Sequence, residues 1–309
     1  MQTNISLLSV VIPVYNDEVV LDELQKRLLA TLPFISNDYE VILVDDGSKD
    51  NSWNKIVSLK QKDEHIKAVK LIRNFGQQNA ISAGLNIANG DVIVLMDSDL
   101  QDRPEDIHLL LEALDEHNAS MAIAQWVSRE DSFFKKLVSN LFYKVSKKIT
   151  EINIQPRLGC FRAMRREVLE ELKNFSETTS TTLSLLYYIG SNYVCVPLKR
   201  DARFAGTSGY NLKKMLSLTF ARIFSFSLFP IRLAIYIGTF ITICSLIVAI
   251  LLIIQHLLVE TVPGWTSMIV LILFLFGLNF SFLGIIGEYL GKIFIETKRR
   301  PKYIIEKVI

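Results

Sequence analysis

Two stretches of this chain, residues 233–259 and 267–287, contain no Asp, Glu, Lys or Arg. A helix that is apolar on every side is stable only inside a large protein core or in a lipid bilayer. Each stretch exceeds the ~18 uncharged residues that mark a membrane-span candidate, and a pair in succession favours the bilayer. Lys213, Lys214, Arg222 and Arg232 precede the first stretch, and Lys292, Lys298, Arg299, Arg300 and Lys302 follow the second. The connector over 255–266 has neither Lys nor Arg. The positive-inside rule then predicts both chain ends in the cytoplasm and the connector outside. Residues 1–8 lack the charged n-region and cleavage site of a signal peptide. The cysteines Cys160, Cys195 and Cys244 have no metal-ligand spacing and are expected as reduced thiols. A net charge of +2 over 309 residues argues against a general nucleic-acid binder.

Ahead of these stretches the pattern changes. Short apolar runs of β-formers predict strands at 8–13, 39–44, 66–72, 92–96 and 120–125. Between them, helical periodicity predicts helices at 19–32, 52–61, 78–87 and 104–117. Strand–helix alternation implies an α/β fold with a mainly parallel sheet and helices on both faces. In open sheets of this kind, ligands bind beyond the carboxyl ends of the strands. The polar clusters fall at those ends: Tyr15-Asn16-Asp17, Asp45-Asp46-Gly47-Ser48, Arg73-Asn74-Phe75-Gly76 and Asp97-Ser98-Asp99.

Asp97 and Asp99 are two apart on an extended chain and so point the same way. Paired hard oxygen donors suit Mg²⁺ or Mn²⁺, metals that in enzymes usually also hold substrate phosphates. The plainer reading is a strand-to-helix turn in which Asp99 or Asp102 caps the helix begun by Pro104. Asp45 and Asp46 could form a turn into a helix capped by Asp50 or Ser52, or accept hydrogen bonds from a base and a ribose. Arg73 could end a strand or neutralise a diphosphate. No Gly-x-Gly-x-x-Gly and no Walker lysine is present, which excludes dinucleotide and P-loop sites.

These motifs, Val-Val-Ile-Pro-Val-Tyr-Asn-Asp over 10–17, Val-Asp-Asp-Gly-Ser over 44–48, Arg-Asn-Phe-Gly over 73–76 and Asp-Ser-Asp-Leu-Gln-Asp over 97–102, resemble the ordered motifs of family 2 glycosyltransferases with the GT-A fold. More narrowly, the chain is similar to the polyprenyl-phosphate glycosyltransferases, the group that includes dolichol-phosphate mannose synthase. Bacterial members of that group also append two membrane helices. The resemblance implies a Rossmann-like GT-A sheet followed by interfacial helices and two transmembrane helices. It implies a nucleoside held by Asp45 or Asp46 with Pro13, Tyr15 and Asp17, and a diphosphate near Arg73 and Asp97. Asp99 and Gln101 would ligate the metal, and Asp97, Asp99 and Gln101 form the expected catalytic set.

Two candidate interfacial helices lie between the sheet and the spans. Over 132–150, Phe133, Phe134, Leu137, Val138, Leu141, Phe142, Val145 and Ile149 make an apolar stripe flanked by five lysines. Such a helix suits an anionic membrane surface, whereas in a soluble protein it would pack on the core. A second candidate over 211–230 ends at Pro230. The expected organisation is therefore a cytoplasmic catalytic domain over 1–210, an interfacial helix over 211–230, a two-helix membrane region over 231–291 and a cytoplasmic tail over 292–309. A domain pressed to the inner membrane of a bacterium could reach a polyprenyl phosphate, with Arg129, Arg162, Arg200 and Arg203 as candidate cations for that phosphate.

Two positions depart from the family pattern. Gly209 stands where relatives usually have Lys, and Cys160 where many have an Asp proposed as catalytic base. A thiol with an ordinary pKa of about 8.5 is a poor base. A phosphate monoester is largely dianionic at neutral pH and needs little help losing a proton. The expected reaction is inverting, metal-dependent transfer of one sugar from a nucleoside diphosphate to polyprenyl phosphate. A processive polysaccharide synthase would require a Gln-x-x-Arg-Trp motif, which Gln125-Trp126 does not supply. A catalytically silent membrane scaffold is the other alternative. Relatives form tetramers, and 298–309, rich in β-formers, could pair with a neighbouring copy.

Overall fold

The computed structural model describes residues 5–126, 158–175, 177, 180–189, 192–201, a few positions between 231 and 254, and 264–309. The chain forms two units, one of residues 1–147, 151–209 and 300–309 and the other of 148–150 and 210–299.

The first unit is built on an eight-stranded sheet. Its strands are β1 (Leu8–Val14), β2 (Tyr39–Asp45), β3 (Ile66–Leu71), β4 (Val92–Leu95), β5 (Met121–Trp126), β6 (Leu158–Arg165), β7 (Tyr193–Leu198) and β8 (Ile305–Val308). Their order across the sheet is β7-β5-β6-β4-β1-β2-β3-β8. Every residue of β1, β2 and β4 is buried, as expected of strands covered by helices on both faces. Among the described residues, the first-unit helices are α1 (Leu21–Ile35), α2 (Ser52–Lys62), α3 (Gln77–Ile87), α4 (Ile107–Glu116), α5 (Arg166–Lys173) and α6 (Thr182–Ile189). Leu21, Leu24, Leu28 and Leu32 line the buried side of α1 at helical spacing. Helices α1, α2 and α4 pack on one face of the sheet, and α3, α5 and α6 on the other.

Register runs β1 parallel to β2 and β4, β2 parallel to β3, and β5 parallel to β7. Strand β6 is antiparallel to both β4 and β5, and β8 is antiparallel to β3. The sheet is therefore mainly parallel, as expected, with β6 and β8 running against the other six strands. Because β6 runs against β4 and β5, its start lies at the edge where β4, β5 and β7 end. The opposite edge is tied together by Glu40, which accepts from the Ser9 hydroxyl at 2.5 Å and the Asn89 amide at 2.7 Å and pairs with Lys67.

Residues 298–309 do not need a neighbouring copy to pair. Strand β8 closes the β3 edge of its own sheet, with amide–carbonyl bonds in both directions between Ala68 and Ile309 at 2.9 Å. Lys70 pairs with Glu306 at 3.0 Å, and Asn86 hydrogen-bonds the Tyr303 hydroxyl.

In the second unit, α7 (Trp265–Thr297) is a continuous helix of 33 residues. Among the described residues no helix is long and apolar enough to cross a membrane, so the two expected spans are not shown. The expected interfacial helices over 132–150 and 211–230, with Arg129, Arg203 and Gly209, lie outside the described residues.

Candidate active site

Parallel pairing in the order β4-β1-β2-β3 sets four strand ends side by side at one edge. The four polar clusters follow those ends directly. They are also bonded to one another. The Asn16 amide donates to Ser48 Oγ at 3.0 Å, and the Lys49 amide donates to Asn16 Oδ1 at 2.8 Å. Asn16 adopts φ 56°, a left-handed turn that Asn tolerates better than most residues. The Ser98 hydroxyl donates to Asp17 Oδ2 at 2.5 Å, joining the β1 and β4 loops. Burial pushes the Asp17 carboxyl above its ordinary range, against the Ser98 and Tyr15 hydrogen bonds that pull it down. Pro13 lies within β1, and Tyr15 is exposed beyond its end.

The adjacent carboxylates Asp45 and Asp46 have separate tasks. Asp46 accepts the Phe75 amide at 2.7 Å and the Gly76 amide at 2.9 Å, so both its oxygens hold the β3 loop. Asp45 accepts the Ser48 amide at 3.2 Å through Oδ1, while its buried Oδ2 has no hydrogen-bond partner. Burial raises the pKa of both. Between them and the β3 loop sits Gly47 at φ 65°, where a Cβ would lie 2.4 Å from the Arg73 carbonyl carbon. Only glycine permits this close approach. Arg73 itself is exposed, its guanidinium 4.4 Å from the Phe75 ring centroid.

The acidic edge follows β4. Asp97 Oδ1 accepts the Gln77 amide at 2.6 Å, and the Asp97 backbone amide donates to Asp102 Oδ2 at 3.3 Å. Asp99 accepts the Gln101 amide at 3.2 Å across Leu100, which adopts φ 58°. Neither Asp99 nor Asp102 caps the helix; the turn Pro104–Asp106 starts it instead. Burial, followed by the Asp99 charge, raises the Asp97 carboxyl, and burial, followed by the Asp97 charge, raises Asp102. Asp102 is 1% exposed, and its Oδ1 has no hydrogen-bond partner.

The antiparallel entry of β6 brings Gly159 and Cys160 to the same edge, and the ends of β5 and β7 bring Trp126 and Arg200. Gly159 carries the Trp126 indole so closely that a Cβ would meet Nε1 at 2.5 Å. The Cys160 thiol hydrogen-bonds Asp97, and burial, then the Asp97 charge, pushes its pKa well above the ordinary thiol value. It stays protonated at neutral pH and cannot serve as a base. Arg200 lies 3.7 Å from Asp97 Oδ2 and 3.7 Å from Asp102 Oδ1, over the Trp126 ring.

Arg162, a candidate cation for the lipid phosphate, is engaged inside the protein. It is wholly buried, and donates to the Gly159 carbonyl at 2.7 Å, the Cys160 carbonyl at 3.1 Å and the Tyr187 hydroxyl at 3.1 Å. Gln77 and Trp126 are site residues that motif reading passed over, and Asp102 was read only within its motif and as a helix cap. Gln77 opens α3, Trp126 ends an ordinary strand, and neither carries a local signature.

Among the described residues, no three His, Cys, Asp or Glu side chains converge into a ready-made metal cage. Crowded carboxylates with raised pKa values and an orphaned buried oxygen nevertheless fit a divalent cation that shares its coordination with substrate phosphates.

The Glycosyl transferase family 2 model matches residues 9–173. The chain belongs to that family. It is 38% identical over 299 residues to an uncharacterised glycosyltransferase of Synechocystis sp., covering 96% of this chain and 94% of the relative. It is 36% identical over 302 residues to the SfII prophage-derived bactoprenol glucosyl transferase of Shigella flexneri, covering 97% of each. Among solved structures, a Pyrobaculum calidifontis mannosyltransferase in complex with GDP-Man and Mn²⁺ superposes with a TM-score of 0.52 at 19% identity, over 72% of this chain and 64% of that one. Glucosyl-3-phosphoglycerate synthase from Mycobacterium tuberculosis, with Mn²⁺ and UDP, gives 0.50 at 18% identity, over 71% and 78%. The mixed sheet of this family 2 enzyme is thus of GT-A type.

Proposed function

We propose that this glycosyltransferase moves a single sugar from a nucleoside diphosphate to a polyprenyl phosphate at the inner face of a bacterial plasma membrane. The observation that carries the reading is the near end-to-end match to relatives named bactoprenol glucosyl transferases, at 97% coverage of both chains. Three further features support it: the clasped strand-end loops, the acidic edge after β4 and the uncharged stretches of the C-terminal region. Both spans, over 233–259 and 267–287, are part of the proposal, with the catalytic domain and both ends cytoplasmic. So are the interfacial helices and an assembly of several copies.

In this reading Asp45, through its unpartnered Oδ2, accepts from the nucleoside, while Asp46 holds the loop that carries Arg73. Tyr15 and Pro13 border the base, and Arg73 faces the diphosphate. Asp99 with Gln101 would hold Mg²⁺ or Mn²⁺, whose bound charge would stabilise the departing diphosphate. Arg129, Arg200 and Arg203 are the cations for the lipid phosphate. Its dianionic oxygen attacks the anomeric carbon with inversion and needs no base, in keeping with a Cys160 that stays a neutral thiol. What the chain contributes is alignment and charge stabilisation.

The test uses the full chain in detergent, polyprenyl phosphate, Mg²⁺ or Mn²⁺ and labelled UDP- and GDP-sugars, with UDP-glucose first. The expected product is a lipid bearing one sugar, and Asp99→Ala should lower turnover by about 100-fold or more. No lipid product from any donor, a polymer, or full activity in Asp99→Ala would each overturn it.

A further inference from the structure

The Arg200 head group sits unusually for a buried-edge arginine. It lies 3.7 Å from one oxygen of Asp97 and 3.7 Å from one of Asp102, too far for hydrogen bonds to either. Its guanidinium carbon is 5.1 Å from the Trp126 ring centroid, so the group stacks without being pinned. Its side chain keeps 36% of its surface exposed. The backbone beside it is held firmly: the Asp201 amide donates to the Gln101 carbonyl at 3.2 Å, and Gln101 Nε2 donates to the Asp201 carbonyl at 3.2 Å. The backbone next to Arg200 is therefore tied to the acidic loop, while its guanidinium makes no hydrogen bond to either carboxylate. Asp102 Oδ1 faces that head with no hydrogen-bond partner.

We infer that Arg200 is a resident counter-cation of the acidic edge, which must turn away from Asp97 and Asp102 when a divalent metal binds beside them at Asp99 and Gln101. This rests on the metal reading above. Two cations held so close together in one cluster of carboxylates repel, a penalty of roughly tenfold in metal affinity at a partly solvated site. Arg200 thereby sets a threshold: metal alone binds weakly, and the edge stays neutralised until donor and metal arrive together. Trp126 reports the exchange, because its indole loses a stacked cation when Arg200 turns away.

The experiment titrates MgCl₂ alone into the full-length protein in detergent at pH 8, by calorimetry and by tryptophan emission, with circular dichroism to verify folding. Arg200→Gln is expected to bind Mg²⁺ roughly tenfold tighter than the parent. Arg200→Lys, which keeps the charge, should stay near the parent, and Arg200→Met substitutes if the Gln variant does not fold. Mg²⁺ should shift emission in the parent but not in Arg200→Gln or Trp126→Phe. Uncharged variants that bind no tighter, including no binding by any protein, overturn the inference, as does a shift persisting without Arg200 or missing in the parent. Asp99→Asn separates the two readings. If it binds like the parent, the metal reading fails; if it alone loses binding while Arg200→Gln is unchanged, only the role of Arg200 falls.

Discussion

Asp45 and Asp46 are adjacent and equally buried, yet they do different things, and substitution should separate them. Asp46→Ala leaves the Phe75 and Gly76 amides without acceptors, at an expected cost of about 2–4 kcal/mol in a thermal or denaturant melt. Asp45→Asn removes a charge whose Oδ2 has no partner, so stability should hold while affinity for the nucleoside diphosphate, followed by calorimetry, falls about tenfold or more. Titration of the acidic edge gives a second expectation. The folded pKa values of Asp97 and Asp102 stand above the unfolded ones. Between those values the folded state holds more protons than the unfolded state, so stability without metal falls as pH rises from the ordinary carboxylate range toward neutrality. Melts across that window should show the decline, Asp102→Asn should flatten it, and added Mg²⁺ should offset it. A flat profile in the parent protein would contradict the assignment.

At the scale of elements, β8 is the piece with the largest consequence. It covers the β3 edge through the Ala68–Ile309 pair and the Lys70–Glu306 bridge, and it buries no more than part of Ile305. Ending the chain after Arg300 should expose that edge, lower Tm by about 5–10 °C and promote self-association, checked by melts and light scattering. Unchanged Tm would mean that the strand is dispensable. The nine strands and helices expected before residue 127 all form, with ends shifted by a few residues. Their apolar periodicity reports burial against immediate sheet neighbours, and it is local information. Strands β6 and β7 went unread, and β8 was given the wrong partner, because their partners are distant in sequence: β6 inserts between β4 and β5, and β8 pairs with residues more than two hundred positions earlier. Only the assembled sheet gives them a place.

For the whole molecule, the uncharged stretches predict that the chain fractionates with membranes and stays there through a carbonate wash. Release by that wash would remove the proposed spans. The sequence by itself determined the α/β alternation, the four strand-end clusters, their family and the uncharged C-terminal stretches, because each is written in contiguous residues whose period or polarity has a direct physical meaning. It also carried the Asp97-Ser98-Asp99 edge to its metal reading. Tertiary structure decided which of those residues meet. It withdrew Arg162 into a carbonyl cage, gave Asp46 to a loop and left Asp45 an open oxygen. It also gathered Gln77, Trp126, Cys160 and Arg200 around Asp97. The reason is topological: one antiparallel strand, β6, turns the starts and ends of distant segments to the same edge, and no local pattern encodes that reversal.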